Sequence, residues 1–330
     1  MTYNVAVVGA TGMVGMKFLE VLKERNFPIK NLYLFASARS AGKVLKFNGN
    51  DYIVEELKED NIKSKKIDIA LFSAGASISK EYAPIFAKYG AVAIDNSSAW
   101  RMDPEVPLVV PEVNPEDIKL HKGIIANPNC STIQAVVALK PLYDQYGINR
   151  IVYSTYQAVS GAGVEGYKDL EDGRKGIAPK KFPQPIAGNA LPHIDVFLDN
   201  GYTKEEMKMV NETRKILHDE NLKITATAVR IPVFYGHSES INVELKKNFE
   251  IKNIFDLFQN SKGIILKDNV DELIYPTPLE SEGHDEVYVG RLRRDFSVEN
   301  GINMWVVADN IRKGAASNTV QIAECLINNY

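Results

Sequence analysis

The stretch that decides the fold is Val5-Ala6-Val7-Val8-Gly9-Ala10-Thr11-Gly12-Met13-Val14-Gly15. A short apolar run leads into a glycine turn with the spacing G-x-x-G-x-x-G, and a helical pattern continues to about Arg25. Glycines at that spacing let backbone N–H groups approach a pyrophosphate at a helix N-terminus. The segment is therefore read as a dinucleotide loop, with Gly9, Thr11, Gly12, Met13 and Val14 as cofactor-binding positions; a tight turn of purely structural purpose is the plainer alternative. Leu32 to Ala36, Ile67 to Phe72, Ala91 to Asp95 and Ile124 to Asn127 read as further strands, with a helix at Ser79–Tyr89. This βαβ rhythm predicts an α/β fold with a parallel sheet.

The second strand candidate bears on which dinucleotide binds. An NAD site carries an acidic residue at that strand's end to bond the ribose hydroxyls. Here Phe35-Ala36-Ser37-Ala38-Arg39-Ser40 offers a guanidinium and two hydroxyls and no carboxylate. Arg39 can pair with a 2′-phosphate and Ser37 and Ser40 can donate to it, which points to NADP. The plainer reading of Arg39 is a solvated loop charge.

Beyond the first third the pattern changes. Ile151 to Val159, Lys223 to Arg230, Ile241 to Leu245 and Tyr288 to Arg294 read as strands with partial alternation, and Thr203–His218 and Ile251–Gln259 as helices. Together they predict an α+β domain with a mixed sheet. Pro179 to Pro192 reads as an extended loop, lining either a cofactor cleft or a subunit interface. Gly314 to Asn329 reads as a closing helix that returns to the first domain.

The chain has 330 residues, 45% hydrophobic and 25% charged, and a formal net charge of -3. That balance gives no footprint for nucleic acid. No apolar run approaches the ~20 residues that span a bilayer. A strand pattern starts at the N-terminus and the two cysteines lie far apart, so a reduced, cytoplasmic protein is expected.

Cys130 lies in Asn127-Pro128-Asn129-Cys130-Ser131-Thr132, between a strand and an apolar helical pattern. Unpaired N–H groups and the dipole at a helix start favour thiolate and can receive an oxyanion. The thiol is either a nucleophile or a small packing residue. A cysteine nucleophile beside a nicotinamide suggests aldehyde oxidation through a thioester. His237, after a glycine turn, is the best placed of five histidines for acid/base work, though a lone histidine is more often structural. Arg230, seven residues earlier, suits a carboxylate clamp or a surface ion pair. Arg101 follows the end of a parallel strand, where ligands bind. Glu212 and Lys215 share a helix face, as site residues or as a helix salt bridge. Gln157 is a polar residue in an apolar strand and needs a partner.

Assembled in this order, these motifs resemble aspartate-β-semialdehyde dehydrogenases along essentially the whole chain. The resemblance is carried by Gly9–Gly15, Ser97-Ser98-Ala99-Trp100-Arg101-Met102, Asn127–Thr132, Tyr156-Gln157-Ala158-Val159-Ser160-Gly161, Glu212-Thr213-Arg214-Lys215, Arg230–His237 and Asp309-Asn310-Ile311-Arg312-Lys313-Gly314-Ala315-Ala316. It implies a Rossmann-type NADP-binding domain over residues 1–128, completed by a helix at about 310–330, and a catalytic and dimerisation domain over 129–309. It implies NADPH-dependent reductive dephosphorylation of L-aspartyl-4-phosphate to L-aspartate-4-semialdehyde, a branch-point step toward lysine, threonine, methionine and isoleucine. It further implies a homodimer or dimer of dimers acting on a small molecule, with no nucleic-acid or membrane partner and no metal.

By the same resemblance Cys130 is the nucleophile, His237 the acid/base, and Gln157 orients the substrate. Asn129 contributes to the substrate site. Glu212 and Arg230 hold amine and carboxylate, and Arg101 and Lys215 hold phosphate. Ser160, Gly161 and Asn310 approach the nicotinamide. The rivals are an N-acetylglutamyl-phosphate reductase, disfavoured by the Asn-Cys-Ser-Thr run, and a glyceraldehyde-phosphate dehydrogenase, which would carry an acidic residue after the second strand. A non-catalytic NADP-binding sensor would lack the nucleophile or base.

Overall fold

The computed structural model describes residues 1–328. It divides into two compact units, residues 1–128 with the segment from Ala315 onward, and residues 129–314.

The first unit begins with β1 (Tyr3–Val8), α1 (Met13–Glu24) and β2 (Ile29–Ala36). A hairpin of β3 (Val44–Phe47) and β4 (Asn50–Glu56) follows, then α2 (Glu59–Lys63), β5 (Ile69–Phe72), α3 (Ala76–Lys88), β6 (Val92–Asp95) and β7 (Ile124–Ala126). The sheet order is β3-β4-β2-β1-β5-β6-β7, parallel except for the β3–β4 hairpin. Residues Asn4 to Val8 of β1 are buried, so this central strand shows a continuous apolar run rather than alternation. Chain direction across the sheet reverses at β1, flanked by β2 and β5. The glycine turn leaves its carboxyl end at this switch point, where ligands of such sheets bind.

The second unit begins with α4 (Cys130–Tyr146), β8 (Ile148–Gln157), α5 (Gly163–Gly173), α6 (Lys204–Leu217), β9 (Lys223–Arg230) and β10 (His237–Leu245). It ends with α7 (Ile251–Gln259), β11 (Ile264–Leu266), α8 (Pro278–Ser281), β12 (Val287–Asp295) and β13 (Gly301–Ala308). Its sheet, β11-β12-β13-β10-β8-β9, is mixed: β8–β9 and β11–β12 are parallel and the other pairs antiparallel. After a π-helical stretch at Arg312–Ala316, α9 (Ser317–Asn328) rejoins the first unit. There Val320, Ala323 and Leu326 join the core of Val5, Val7, Phe18 and Leu22, and Arg25 of α1 pairs with Glu324 at 2.7 Å. Asn329, the expected end of that helix, lies outside the described residues. Among those residues no helix is long and apolar enough to cross a membrane.

The expected class holds, an α/β first unit and a mixed second sheet. Several elements differ. The expected strand to Val159 stops at Gln157, because Val159–Ala162 turns as a 3₁₀ helix. The strand expected from Ile241 begins four residues earlier, at His237. Its polar start has no apolar alternation, yet His237, Ser238 and Glu239 are buried between β8 and β13. The hairpin β3–β4, α5 and β13 have no counterpart among the elements expected from the sequence.

Candidate active site

In the first unit, the glycine turn is built by close approach. Gly9 has φ +82°, and a Cβ there would lie 2.2 Å from the Ser73 carbonyl oxygen. A Cβ on Gly15 would lie 2.1 Å from the Gly9 oxygen, so no side chain fits where α1 leaves the turn. Gly12 caps α1 without a side-chain bond, leaving first-turn N–H groups around Met13 and Val14 to a ligand. Thr11 Oγ1 donates to Ser40 Oγ at 3.4 Å, joining this turn to the 3₁₀ turn Ala38–Ser40 after β2. Ser37 and Arg39 on that turn are exposed. These features fit a dinucleotide-binding turn.

Arg101, 8% exposed, follows β6. Its Nε donates to the Asn127 carbonyl at 3.0 Å and its Nη2 to the Asn96 carbonyl at 2.8 Å, so two strand-end carbonyls hold the guanidinium. Asp95 Oδ2 accepts from Ser97 Oγ at 2.6 Å, bracing the loop to Arg101; burial raises the Asp95 carboxyl despite that bond.

In the second unit, Cys130 is the first residue of α4 and half-buried. Asn129 is its N-cap, and its side-chain oxygen accepts from Ser131 N at 3.0 Å and Thr132 N at 3.4 Å. Such a cap is worth about 1 kcal/mol. It also corrects one expectation: these two N–H groups are not open to an oxyanion. The helix dipole still favours thiolate.

Cys130 Sγ lies 3.2 Å from His237 Nε2. His237 Nδ1 accepts the Ala158 backbone N–H at 3.0 Å. A neutral imidazole has one N–H, so this bond places the proton on Nε2, facing sulfur. Burial, reinforced by Arg230, lowers the His237 pKa to about 3, and Glu205 only partly opposes this. The ring stays neutral at working pH.

Arg230 ends β9, 5% exposed. Its Nη1 donates to the Ala158 carbonyl at 2.7 Å, while its buried Nε has no hydrogen-bond partner among the described residues. Gly161 makes room beside it: a Cβ there would stand 3.0 Å from Arg230 Nη1 and 3.2 Å from His237 Nε2. Ser160 Oγ and Asn310 bond each other, and Asn310 Oδ1 accepts from Gly236 N at 3.0 Å, fixing the turn that enters β10.

Gln157 Nε2 donates to Glu205 Oε1 at 3.1 Å, and Asn129 Nδ2 donates to the same oxygen at 2.9 Å. Lys208 bonds the other Glu205 oxygen at 2.9 Å and Asp195 at 2.8 Å. Burial pushes the Glu205 carboxyl up, but Lys208, Asn129 and Gln157 outweigh it and hold the pKa at about 2. Glu205 and Lys208 were absent from the expected site. Glu212, the expected amine partner, instead receives the Asn129 backbone N–H at 2.6 Å. Lys215, one turn on, is half-buried. The signal was ambiguous: α6 carries E-x-x-K twice, at 205–208 and 212–215, seven residues apart and so on nearly one face. Only the folded chain shows which pair joins Gln157.

Residues 4–121 match the family model of the semialdehyde dehydrogenase NAD binding domain, and residues 139–313 that of the semialdehyde dehydrogenase dimerisation domain. The chain is 62% identical over 336 residues to the aspartate-semialdehyde dehydrogenase of Aquifex aeolicus, covering 99% of this chain and 98% of the relative. It resembles the solved aspartate semialdehyde dehydrogenase II of Vibrio cholerae complexed with ASA, at TM-score 0.96 and 50% identity, over 100% of this chain and 99% of that one. An aspartate semialdehyde dehydrogenase with NADP from Candida albicans aligns at TM-score 0.78 and 27% identity, over 99% of both chains.

Proposed function

The chain belongs to the aspartate-semialdehyde dehydrogenase family, and from that premise we propose that it reduces L-aspartyl-4-phosphate to L-aspartate-4-semialdehyde with NADPH, through a thioester on Cys130. The observation that carries this reading is the Cys130–His237 pair at 3.2 Å, at a helix start and beside buried Arg230 and Glu205.

The substrate brings a carboxylate, an ammonium and a phosphate. Arg230, with an unpartnered buried Nε, takes the carboxylate. Glu205, ionised beside Gln157, takes the ammonium, the role expected of Glu212. Arg101 and Lys208 are the cations assigned to phosphate, Lys208 replacing Lys215.

Thiolate attacks the acyl carbon, the C–O bond to phosphate breaks, and phosphate leaves with that electron pair. Bound NADPH supplies the hydride that reduces the resulting thioester. His237, its Nε2–H aimed at this centre, donates a hydrogen bond to the hemithioacetal oxyanion, whose electron pair then re-forms the C=O bond as the C–S bond breaks and the thiolate returns. The dimerisation-domain match supports a homodimer, alone or paired as a dimer of dimers.

The test is the reverse assay. Purified protein with aspartate semialdehyde, phosphate and NADP produces NADPH, and Arg39→Ala raises KM for NADP far more than for NAD. Turnover of N-acetylglutamate semialdehyde instead would overturn the substrate, and equal effects of Arg39→Ala on both dinucleotides would overturn the cofactor preference.

A further inference from the structure

The segment from Ile177 to Pro192 contains no regular element, yet it is tied down at both ends. Near its start the Asp169 carboxylate, on α5, accepts three successive backbone N–H groups: Lys180 at 2.8 Å, Lys181 at 2.7 Å and Phe182 at 2.9 Å. At its end Leu191 pairs with Arg230 itself, Leu191 N to Arg230 O at 2.9 Å and Arg230 N to Leu191 O at 2.8 Å. Between these ties Ile186 and Leu191 join Val159 and Leu170 in a small core of their own, with Phe182 packed against it. The Phe182 ring sits over Gly166, where a Cβ would lie 3.1 Å from its Cζ, and its centroid is 5.9 Å from the Arg230 guanidinium carbon.

We propose that this segment is a strap whose Phe182 wall, set by the Asp169 clamp, positions the Arg230 guanidinium and so determines affinity for the carboxylate of the substrate. The guanidinium is then bounded by the Ala158 carbonyl, the bare Gly161 backbone and an aromatic face, which leaves the buried Nε to the ligand. A ring on one face of a guanidinium restricts its rotation and stabilises its charge, which a branched aliphatic residue does only through packing. Phe182 is thus a positioning residue, and Asp169 acts through it. The inference rests on Arg230 being the carboxylate anchor.

Steady-state kinetics in the phosphorylating direction test it, with circular dichroism to confirm folding. Phe182→Leu is expected to raise KM for aspartate semialdehyde roughly 3- to 30-fold, the range from an exposed to a desolvated cation–π contact. KM for NADP and kcat should stay within about twofold. Phe182→Tyr should behave as the parent, and Asp169→Asn, which keeps volume but removes an acceptor, should shift the same KM as Phe182→Leu. An unchanged KM in Phe182→Leu, or a fall in kcat with all KM values held, overturns the proposal. Arg230→Leu separates the two levels. If it raises the semialdehyde KM and Phe182→Leu does not, the strap fails and the anchor stands. If Arg230→Leu itself leaves that KM unchanged, the anchor fails and the strap's role falls with it.

Discussion

At the scale of single residues, the thiol and its partner were legible because each sits at a local signal. Cys130 follows an Asn cap between strand and helix, and His237 follows a glycine turn. Their 3.2 Å approach was not legible, since 107 positions separate them. The Ala158 N–H that orients the imidazole leaves no side-chain signature at all. Glu205 was missed because two E-x-x-K pairs on one helix look alike until burial is known. The structure distinguishes them, and so does a pair of variants. Glu205→Gln removes a charge that meets Gln157, Asn129 and Lys208, and it should lower kcat/KM for aspartate semialdehyde by roughly 10- to 100-fold, the worth of a charge-assisted bond. Lys215→Ala should stay within about twofold. Steady-state kinetics giving the reverse order would return the site to the 212–215 pair.

At the scale of elements, β10 shows why a polar segment can be a core strand. Its first residues pair with β8 on one side and β13 on the other, so side chains chosen for chemistry are buried by neighbours remote in sequence. Glu239 is fully buried, and among the described residues neither carboxylate oxygen has a hydrogen-bond partner. Burial raises its pKa well above 4.5. The carboxyl therefore stays protonated to higher pH in the folded chain than in the unfolded one. Folding takes up a proton, so this residue's contribution is most favourable below about pH 4.5 and worsens as pH rises toward the folded pKa. Glu239→Gln removes that dependence. Its Tm should exceed the parent's at pH 7 to 8, with the gap closing near pH 4. A gap that does not change with pH would show that Glu239 is ionised in the fold.

At the scale of the whole molecule, the fold class was legible from rhythm: apolar runs and a glycine turn at the start, mixed patterns later, and an amphipathic helix at the end. What escaped was set by tertiary context. β13 is enclosed between β10 and β12 and lacks clean alternation, and α5 begins and ends in glycine, a poor helix signal. The Pro-rich strap was legible as a loop but not as a neighbour of Arg230, because the pairing of Leu191 with Arg230 spans 39 positions of chain.

In the proposed reaction Cys130 carries the acyl group. Acid quenching of the protein with aspartate semialdehyde and NADP, without phosphate, followed by peptide mass spectrometry, tests it most directly. One aspartyl adduct is expected on the Cys130 peptide, released when phosphate is added before the quench and absent in Cys130→Ala. NADPH formation with no adduct on that peptide, or with the adduct on another residue, would contradict it.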